Sequence, residues 1–151
     1  MLTLPILFLF MNAKIFNYIL ILITLLVIPW LVWQAITLTT VDVVTLLGIA
    51  IVIPSMILLI IARFQLGSSF SLSAQAKELR TTGLYSKLRH PVYVFGQLLL
   101  LGLVLCIKAP MFFLAWGLLV VMQILRAKRE EEVLEAKFGD EYREYKKRTW
   151  F

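Results

Sequence analysis

VVTLLGIAIVIPSMILLIIA, residues 43–62, contains no Asp, Glu, Lys or Arg. A helix of this length covers about 30 Å, which is the thickness of the hydrocarbon core of a bilayer. The preceding stretch from Ile15 to Ile36 is also free of these four residue types and is of similar length. Both stretches are therefore predicted to be transmembrane helices.

Composition places the whole chain in the same class. Of its 151 residues, 61% are hydrophobic and only 16% are charged, and the mean hydropathy is +0.90. So few polar residues could not cover the surface of a soluble domain of this length. No repeat or low-complexity linker divides the sequence, which predicts one all-α, polytopic membrane domain over residues 1–151.

Two further apolar segments predict a helical hairpin. Val92–Ile107 and Pro110–Leu125 each contain 16 residues, and only Lys108 and Ala109 separate them. So short a link favours antiparallel neighbours. Segments of this length span a bilayer where the lipid thins or where polar residues reach the interface. The prediction is thus about four transmembrane helices, the last two forming a tight hairpin.

The positive charges predict the orientation of these helices. The net charge is +6, and with four spans 14 of the 15 Lys and Arg residues fall on one side, leaving only Lys108 opposite. This is the positive-inside pattern, which predicts that both termini are cytoplasmic and that the basic residues contact anionic lipid headgroups. Binding of nucleic acid is not expected. A bacterial inner membrane is the expected location, with an ER-type membrane as the alternative.

Three regions outside the predicted spans complete the organisation. Leu2–Met11 is apolar without a preceding positive charge or a small-residue cleavage site, which predicts a retained interfacial segment. Gly67–Ala76 is rich in serine and predicts a loop or an extended interfacial stretch. Arg126–Lys147 predicts an amphipathic cytoplasmic helix, with a break at Gly139–Asp140. Its apolar side is formed by Leu134, Phe138, Tyr142 and Tyr145.

The predicted spans contain few groups that could carry membrane chemistry. Their large polar residues are Gln34, Gln97 and Gln123, with no ionisable group at mid-membrane, which disfavours ion-coupled transport. His90 and Cys106 are the only residues of their types, which disfavours a haem or a catalytic metal site. Cys106 also implies no disulfide, and it is expected to be a small core residue.

Two polar motifs remain, one on each side of the hairpin. Arg89-His90-Pro91-Val92-Tyr93 precedes the third span, where Pro91 suits the first turn of a helix and Tyr93 suits the interface. Glu130, Glu131 and Glu132 follow the fourth span within about one to two turns, so they are expected beside Arg89 and His90. The simplest structural interpretation makes Arg89 a topology signal, His90 incidental and the glutamates a solvated helix face.

Read together and in order, these motifs resemble a known family of integral membrane enzymes, the isoprenylcysteine carboxyl methyltransferase and phospholipid methyltransferase family. The resemblance covers roughly residues 80 to 148. It is carried by Gly83-Leu84-Tyr85, Arg89-His90-Pro91-Val92-Tyr93, Gly102, Arg126, Glu130-Glu131, Leu134, Phe138-Gly139, Tyr142 and Tyr145.

The resemblance implies transfer of a methyl group from S-adenosylmethionine to a lipophilic or membrane-associated acceptor that arrives from the bilayer. The acceptor atom could belong to a carboxylate, a thiol or an amine. No metal is implied. The catalytic candidates are Arg89, His90 and Glu131. The cofactor-binding candidates are Tyr85, Arg89, His90, Tyr93, Arg126, Glu130 and Glu131.

Charge and chemistry give hypotheses for individual roles. Arg89 could bind the cofactor's carboxylate, and Glu130 or Glu131 its ammonium or ribose, while Tyr85, Tyr93 or Phe138 could form a wall. His90 is the first candidate for a general base if the acceptor is a thiol or an amine. If the acceptor is a carboxylate, His90 is structural and Arg89 or Arg126 would hold the acceptor.

One position departs from the family pattern. Phe95 stands where the family often has glycine, and Gly96 follows it, so Phe95 could narrow the pocket if the backbone is not shifted. The alternative function is a non-catalytic membrane scaffold or lipid-binding relative with a degenerate cofactor site.

Overall fold

The structure is a computed structural model that describes residues 13–38, 41–66, 79 and 81–151. Within those residues the regular structure is entirely helical, which confirms the predicted all-α class. The predicted segments Leu2–Met11 and Gly67–Ala76 lie outside the described residues. The elements are α1 (Ala13–Leu38), α2 (Val43–Leu66), a 3-10 helix (Gly83–Ser86), α3 (Pro91–Ile107), α4 (Met111–Phe138) and α5 (Asp140–Arg148).

Two helices, α2 and α4, are long and apolar enough to cross a membrane by length and composition. Shorter apolar helical stretches occupy Ile21–Gln34 in α1 and the whole of α3. Large apolar side chains point outward from α1, α2 and α4, as expected of surfaces that contact lipid. The count of four spans and the cytoplasmic position of the tail stay predictions.

The core of the fold is the contact between α2 and α3, which depends on two glycines. A Cβ atom added to Gly102 would lie 2.8 Å from Val52 Cγ2 and 2.9 Å from the carbonyl oxygen of Gly48. One added to Gly48 would lie 2.6 Å from Cys106 Sγ. Small residues let helix backbones approach closely where lipid supplies no hydrophobic drive for association. The contact continues as a cluster of Val52, Leu59, Ala62, Phe95, Leu99 and Leu103.

Polar contacts connect the start of α2 to the hairpin turn between α3 and α4. Asp42 Oδ1 accepts a hydrogen bond from the backbone N–H of Thr45 at 3.0 Å and pairs with Lys108 Nζ at 2.9 Å. The Thr45 donor and the Lys108 ammonium hold the pKa of Asp42 at about 2. Lys108 has a left-handed backbone, with φ 57°, which ends α3 two residues before Pro110. The predicted tight link is therefore confirmed.

Helix α4 corrects the predicted boundary between the fourth span and the tail. The sequence suggested a span ending at Leu125 and a separate helix from Arg126, but α4 continues without interruption to Phe138. No Gly or Pro interrupts residues 126–138, and these residues are mostly good helix formers. Gly139, with φ 53°, ends the helix, so the predicted break at Gly139–Asp140 is correct. The glutamates are thus held on one continuous helix with the apolar segment.

Candidate functional site

The segment before α3 is shaped by a turn at Gly83 and a buried tyrosine. Gly83 has φ 63°, a conformation that favours glycine, and the 3-10 helix begins there. Tyr85 is buried, and its carbonyl accepts a hydrogen bond of 2.6 Å from the Tyr145 hydroxyl. The Tyr85 hydroxyl donates a long bond of 3.4 Å to the Ala62 carbonyl. Tyr85 therefore connects α2 with α5.

Arg89, Glu131 and Lys146 form an ionic clasp between three parts of the chain. Arg89 Nε donates to Glu131 Oε1 at 2.7 Å, and Lys146 Nζ lies 2.8 Å from Glu131 Oε2. Arg89 Nη1 also donates to the carbonyls of Lys146 and Thr149, at 3.3 and 3.2 Å. The clasp holds the segment before α3 against α4 and the end of α5, and it engages both oxygens of Glu131.

Glu130 is held differently, because two hydrogen-bond donors converge on one of its oxygens. The Tyr93 hydroxyl donates to Glu130 Oε1 at 2.6 Å, and Arg126 Nε donates to the same atom at 3.0 Å. The Arg126 guanidinium also lies 5.8 Å from the centroid of the Tyr93 ring. The second oxygen, Oε2, lies 3.9 Å from His90 Nδ1, beyond hydrogen-bonding distance. Glu130 therefore retains acceptor capacity that Glu131 has already used.

His90 lies at the N-cap of α3, between the two glutamates, and is only 7% exposed. Its ring stacks on Tyr93 with centroids 5.5 Å apart, and Nε2 lies 3.5 Å from Glu131 Oε1, too far for a strong hydrogen bond. Nε2 has no hydrogen-bond partner among the described residues. Burial lowers the pKa of His90, outweighing the opposing effect of Glu130 and Glu131. The imidazole is therefore neutral at pH 7.

The last residues of the chain pair with the segment that precedes α3. The Trp150 N–H donates to the Lys87 carbonyl at 2.8 Å, and the Arg89 N–H donates to the Trp150 carbonyl at 3.0 Å. This pairing brings the Phe151 ring to 5.7 Å from the His90 ring. The amino-acid sequence carries no signal for these contacts, since backbone hydrogen bonds depend little on side-chain identity.

Tyr142 is a second buried group with an unmet hydrogen bond. Its side chain is fully buried, and its hydroxyl has no hydrogen-bond partner within the described ranges. Burial, reinforced by the nearby Glu131 carboxylate, raises the pKa of Tyr142. The sequence pattern placed Tyr142 on an apolar face. Its position beside a carboxylate follows only from the packing of α5 against α4.

Six of the seven predicted cofactor-binding residues come together here, and Tyr85 lies apart at the junction of α2 and α5. Phe95 belongs to the same core cluster as Val52. Lys146 and Tyr142 are the site members that sequence analysis did not propose. In the described part of the chain, no group of three or more His, Cys, Asp or Glu side chains could hold a metal ion.

Comparison with known proteins identifies the family of the chain. The sequence profile of the phospholipid methyltransferase family matches residues 37–141, more than half of the chain. The chain belongs to that family. Together with the apolar helices, this membership makes it a membrane protein. Comparison with curated protein sequences gave no match.

The fold of this phospholipid methyltransferase family member is also found in a solved structure. That structure is the eukaryotic intramembrane Ras methyltransferase ICMT, isoprenylcysteine carboxyl methyltransferase, determined without a monobody. The TM-score is 0.63 at 24% sequence identity, and the match covers 91% of this chain and 49% of that one. The likeness supports the fold, and the chain spans about half the length of this relative.

Proposed function

We propose that this protein is an integral membrane methyltransferase that transfers a methyl group from S-adenosylmethionine to a lipophilic acceptor. The observation that carries the proposal is the state of Glu130. This half-buried carboxylate has one oxygen engaged by Tyr93 and Arg126, while the other lies 3.9 Å from Nδ1 of buried His90 and has no closer partner among the described residues. A carboxylate beside an apolar segment is costly unless it is paired. The remaining acceptor capacity of Glu130 therefore suits a ligand that carries a positive charge or a hydroxyl group.

The residues fit the proposed cofactor, which offers an ammonium, a carboxylate, ribose hydroxyls, adenine and a sulfonium. Two buried polar atoms at the site, His90 Nε2 and the Tyr142 hydroxyl, have no hydrogen-bond partner in the described part of the chain. Buried polar groups are normally paired, and a bound polar ligand would satisfy these two. Acceptor capacity on Glu130 and donor capacity on Tyr142 match the two charged ends of the cofactor's amino-acid portion.

Individual roles follow from which atoms are already engaged. Glu130 Oε2 would bind the cofactor's ammonium or a ribose hydroxyl, and the Tyr142 hydroxyl would donate to its carboxylate. Arg89 already donates through Nε and Nη1 to protein acceptors. We therefore assign Arg89 and Glu131 a positioning role that keeps α5 against α4, in place of the direct ligand contact suggested by sequence. Tyr93 and Arg126 orient Glu130.

When bound, S-adenosylmethionine would supply a methyl group activated by the adjacent sulfonium charge. The protein would contribute the exclusion of water and a fixed line of approach. Because burial lowers the pKa of His90, its imidazole is neutral at pH 7 and therefore in the form that can accept a proton from a thiol or an amine acceptor. A carboxylate acceptor would need no base, and His90 would then only stack on Tyr93.

The membrane arrangement we propose has four spans with both termini in the cytoplasm, in a bacterial inner membrane. Residues 1–151 would form one unit. The site lies where α3 begins and where α4 leaves its apolar segment, so an acceptor could reach it sideways from the lipid. No nucleic acid or metal is needed for the proposed reaction.

Calorimetric binding of S-adenosylmethionine and S-adenosylhomocysteine to detergent-purified protein tests the proposal. Glu130→Gln should weaken binding about tenfold to a hundredfold, the value of a charge-assisted hydrogen bond. Exposed Glu132→Gln is the matched control and should leave affinity unchanged. Equal affinity in the two variants would contradict the role of Glu130.

The clasp also supports the second candidate, a non-catalytic scaffold or lipid-binding relative, because its ion pairs stabilise the fold without a ligand. A wild-type protein that is folded in detergent and in lipid nanodiscs yet binds neither compound would establish that alternative. Binding followed by methyl transfer to lipids extracted from the host membrane would exclude it.

A further inference from the structure

A polar track leaves the charged site and continues along the contact between α3 and α4. Tyr93 and Gln97 are four residues apart on α3, so they lie on adjacent turns of the same face. On α4, Trp116, Gln123 and Glu130 are spaced seven residues apart, which also places them on one face. The track therefore has members on both helices.

Two hydrogen bonds fix this face of α4 against α3. The Tyr93 hydroxyl donates to Glu130 Oε1 at 2.6 Å, and Trp116 Nε1 donates to the carbonyl oxygen of Gln97 at 3.1 Å. Gln123 lies midway between Glu130 and Trp116 on α4, so it must face the same side of the hairpin. Gln97 and Gln123 consequently lie about 6 and about 10 Å beyond Tyr93 and Glu130 along their helices.

The amide of Gln97 and the amide oxygen of Gln123 are buried without partners among the described residues. Gln97 Nε2 and Oε1, and Gln123 Oε1, have no contact with solvent and no hydrogen-bond partner in residues 13–38, 41–66, 79 and 81–151. Burying a polar group without a hydrogen bond lowers the stability of the fold, and little water is present around a membrane-spanning helix to replace the missing partner. Leucine would be the ordinary residue at both positions, as in much of α3. Three unpaired amide atoms on one face of the hairpin therefore indicate an external hydrogen-bonding partner.

We propose that Gln97 and Gln123 form an acceptor subsite that binds an uncharged hydrogen-bonding group of a lipophilic molecule, an ester or a hydroxyl. This inference rests on the proposed function, because the reacting end of the acceptor lies at the Glu130 site and the subsite lies one to two helical turns away. An amide can donate and accept, so it suits a neutral polar group. No charged side chain occurs between Pro91 and Ile107, so a charged group would be uncompensated here.

Side-chain amide NMR of protein labelled with ¹⁵N-glutamine and held in amphipol tests the subsite directly. The chain has five glutamines, and single substitutions assign their signals. The probes are methyl oleate, oleyl alcohol and 1-octadecene, which share an 18-carbon chain and present an ester, a hydroxyl or neither. Saturable shifts of the Gln97 and Gln123 signals with either polar probe, and none with octadecene, are expected. The stronger polar probe identifies the group.

Q97L should weaken binding of the polar probe about fivefold, as read from the Gln123 signal, and Q123L should do the same as read from Gln97. Q34L, on α1, is the matched control and should not change it. Both hairpin variants should melt at a higher temperature than wild type, because each removes at least one buried amide atom that has no partner among the described residues. Unresponsive amides, or lower melting temperatures in both variants, would overturn the proposal.

Calorimetry with S-adenosylmethionine on the same samples separates the two proposals. If the cofactor binds but the amide signals do not respond, the subsite is refuted and the proposed function is retained. If the amide signals respond but the cofactor does not bind, the binding site for a polar lipid group is retained and the proposed methyltransferase activity is refuted.

Discussion

Glu131→Gln should destabilise the fold far more than Glu132→Gln, although the two residues are neighbours. Glu131 is 14% exposed and accepts hydrogen bonds from Arg89 and Lys146, whereas Glu132 is exposed. The substitution keeps the side-chain volume and removes only the charge. It therefore isolates the electrostatic contribution of the clasp that joins the segment before α3 to α4 and α5.

The loss in free energy of unfolding expected for Glu131→Gln can be bracketed from the solvent exposure of the side chains in the clasp. Removing one member of a buried ion pair costs about 3–5 kcal/mol, and an exposed pair contributes about 0.2–1 kcal/mol. The Arg89–Glu131 pair, with side chains 16% and 14% exposed, lies toward the buried limit, while Lys146 is 43% exposed. Glutamine still accepts one neutral hydrogen bond. The free energy of unfolding should fall by about 2 kcal/mol, roughly 30-fold in the folded-to-unfolded ratio.

Equilibrium unfolding by sodium dodecyl sulfate in mixed micelles, followed by tryptophan fluorescence, measures this loss. A double-mutant cycle with Arg89→Gln should give a coupling of about 1–2 kcal/mol, because the second substitution removes an already unpaired group. If Glu131→Gln matches Glu132→Gln within about 0.5 kcal/mol, the clasp does not stabilise the fold and our reasoning on its burial is wrong.

Three further predictions follow from other contacts. Gly102→Ala should lower the free energy of unfolding by about 1–2 kcal/mol in the same assay, because its Cβ meets Val52 and backbone, while Gly96→Ala, with open space around it, should be neutral or stabilising. Tyr93→Phe should cost about 1.5 kcal/mol by removing a 2.6 Å bond to a carboxylate; a loss below about 0.3 kcal/mol would contradict this. Burial lowers the pKa of His90 from 6.5, so neutral His90 contributes fully to the free energy of unfolding above that pH and contributes less as the pH falls. When unfolding is measured from about pH 7.5 to 5, the free energy of unfolding should fall more steeply for wild type than for His90→Gln.

The membrane class of the protein was predictable from sequence because it depends on local properties. A run of uncharged residues long enough to cross a bilayer identifies a helix such as α2 wherever it packs. The tight hairpin was predictable for a similar reason, since two residues between apolar segments leave few connections. The family resemblance also rested on the order and spacing of motifs, which a chain carries without being folded.

The boundary of α4 was predicted less well, because hydropathy changes at Arg126 while the helix does not. A helix ends where its backbone hydrogen bonds end, and no residue interrupts them before Gly139. Polarity alone therefore marked the limit of the apolar segment and missed the continuity that holds Glu130 and Glu131 in place.

The sequence by itself determined the inventory of the site: one histidine, adjacent glutamates and the arginines that could meet them. Only the tertiary structure decided which of these groups pair with one another. Glu130 and Glu131 are neighbours in sequence, but they point about 100° apart on a helix. Within the described ranges, one oxygen of Glu130 therefore has no close partner, while both oxygens of Glu131 are held by Arg89 and Lys146. The distinction arises from the packing of α5, and long-range packing of this kind has no counterpart in local spacing.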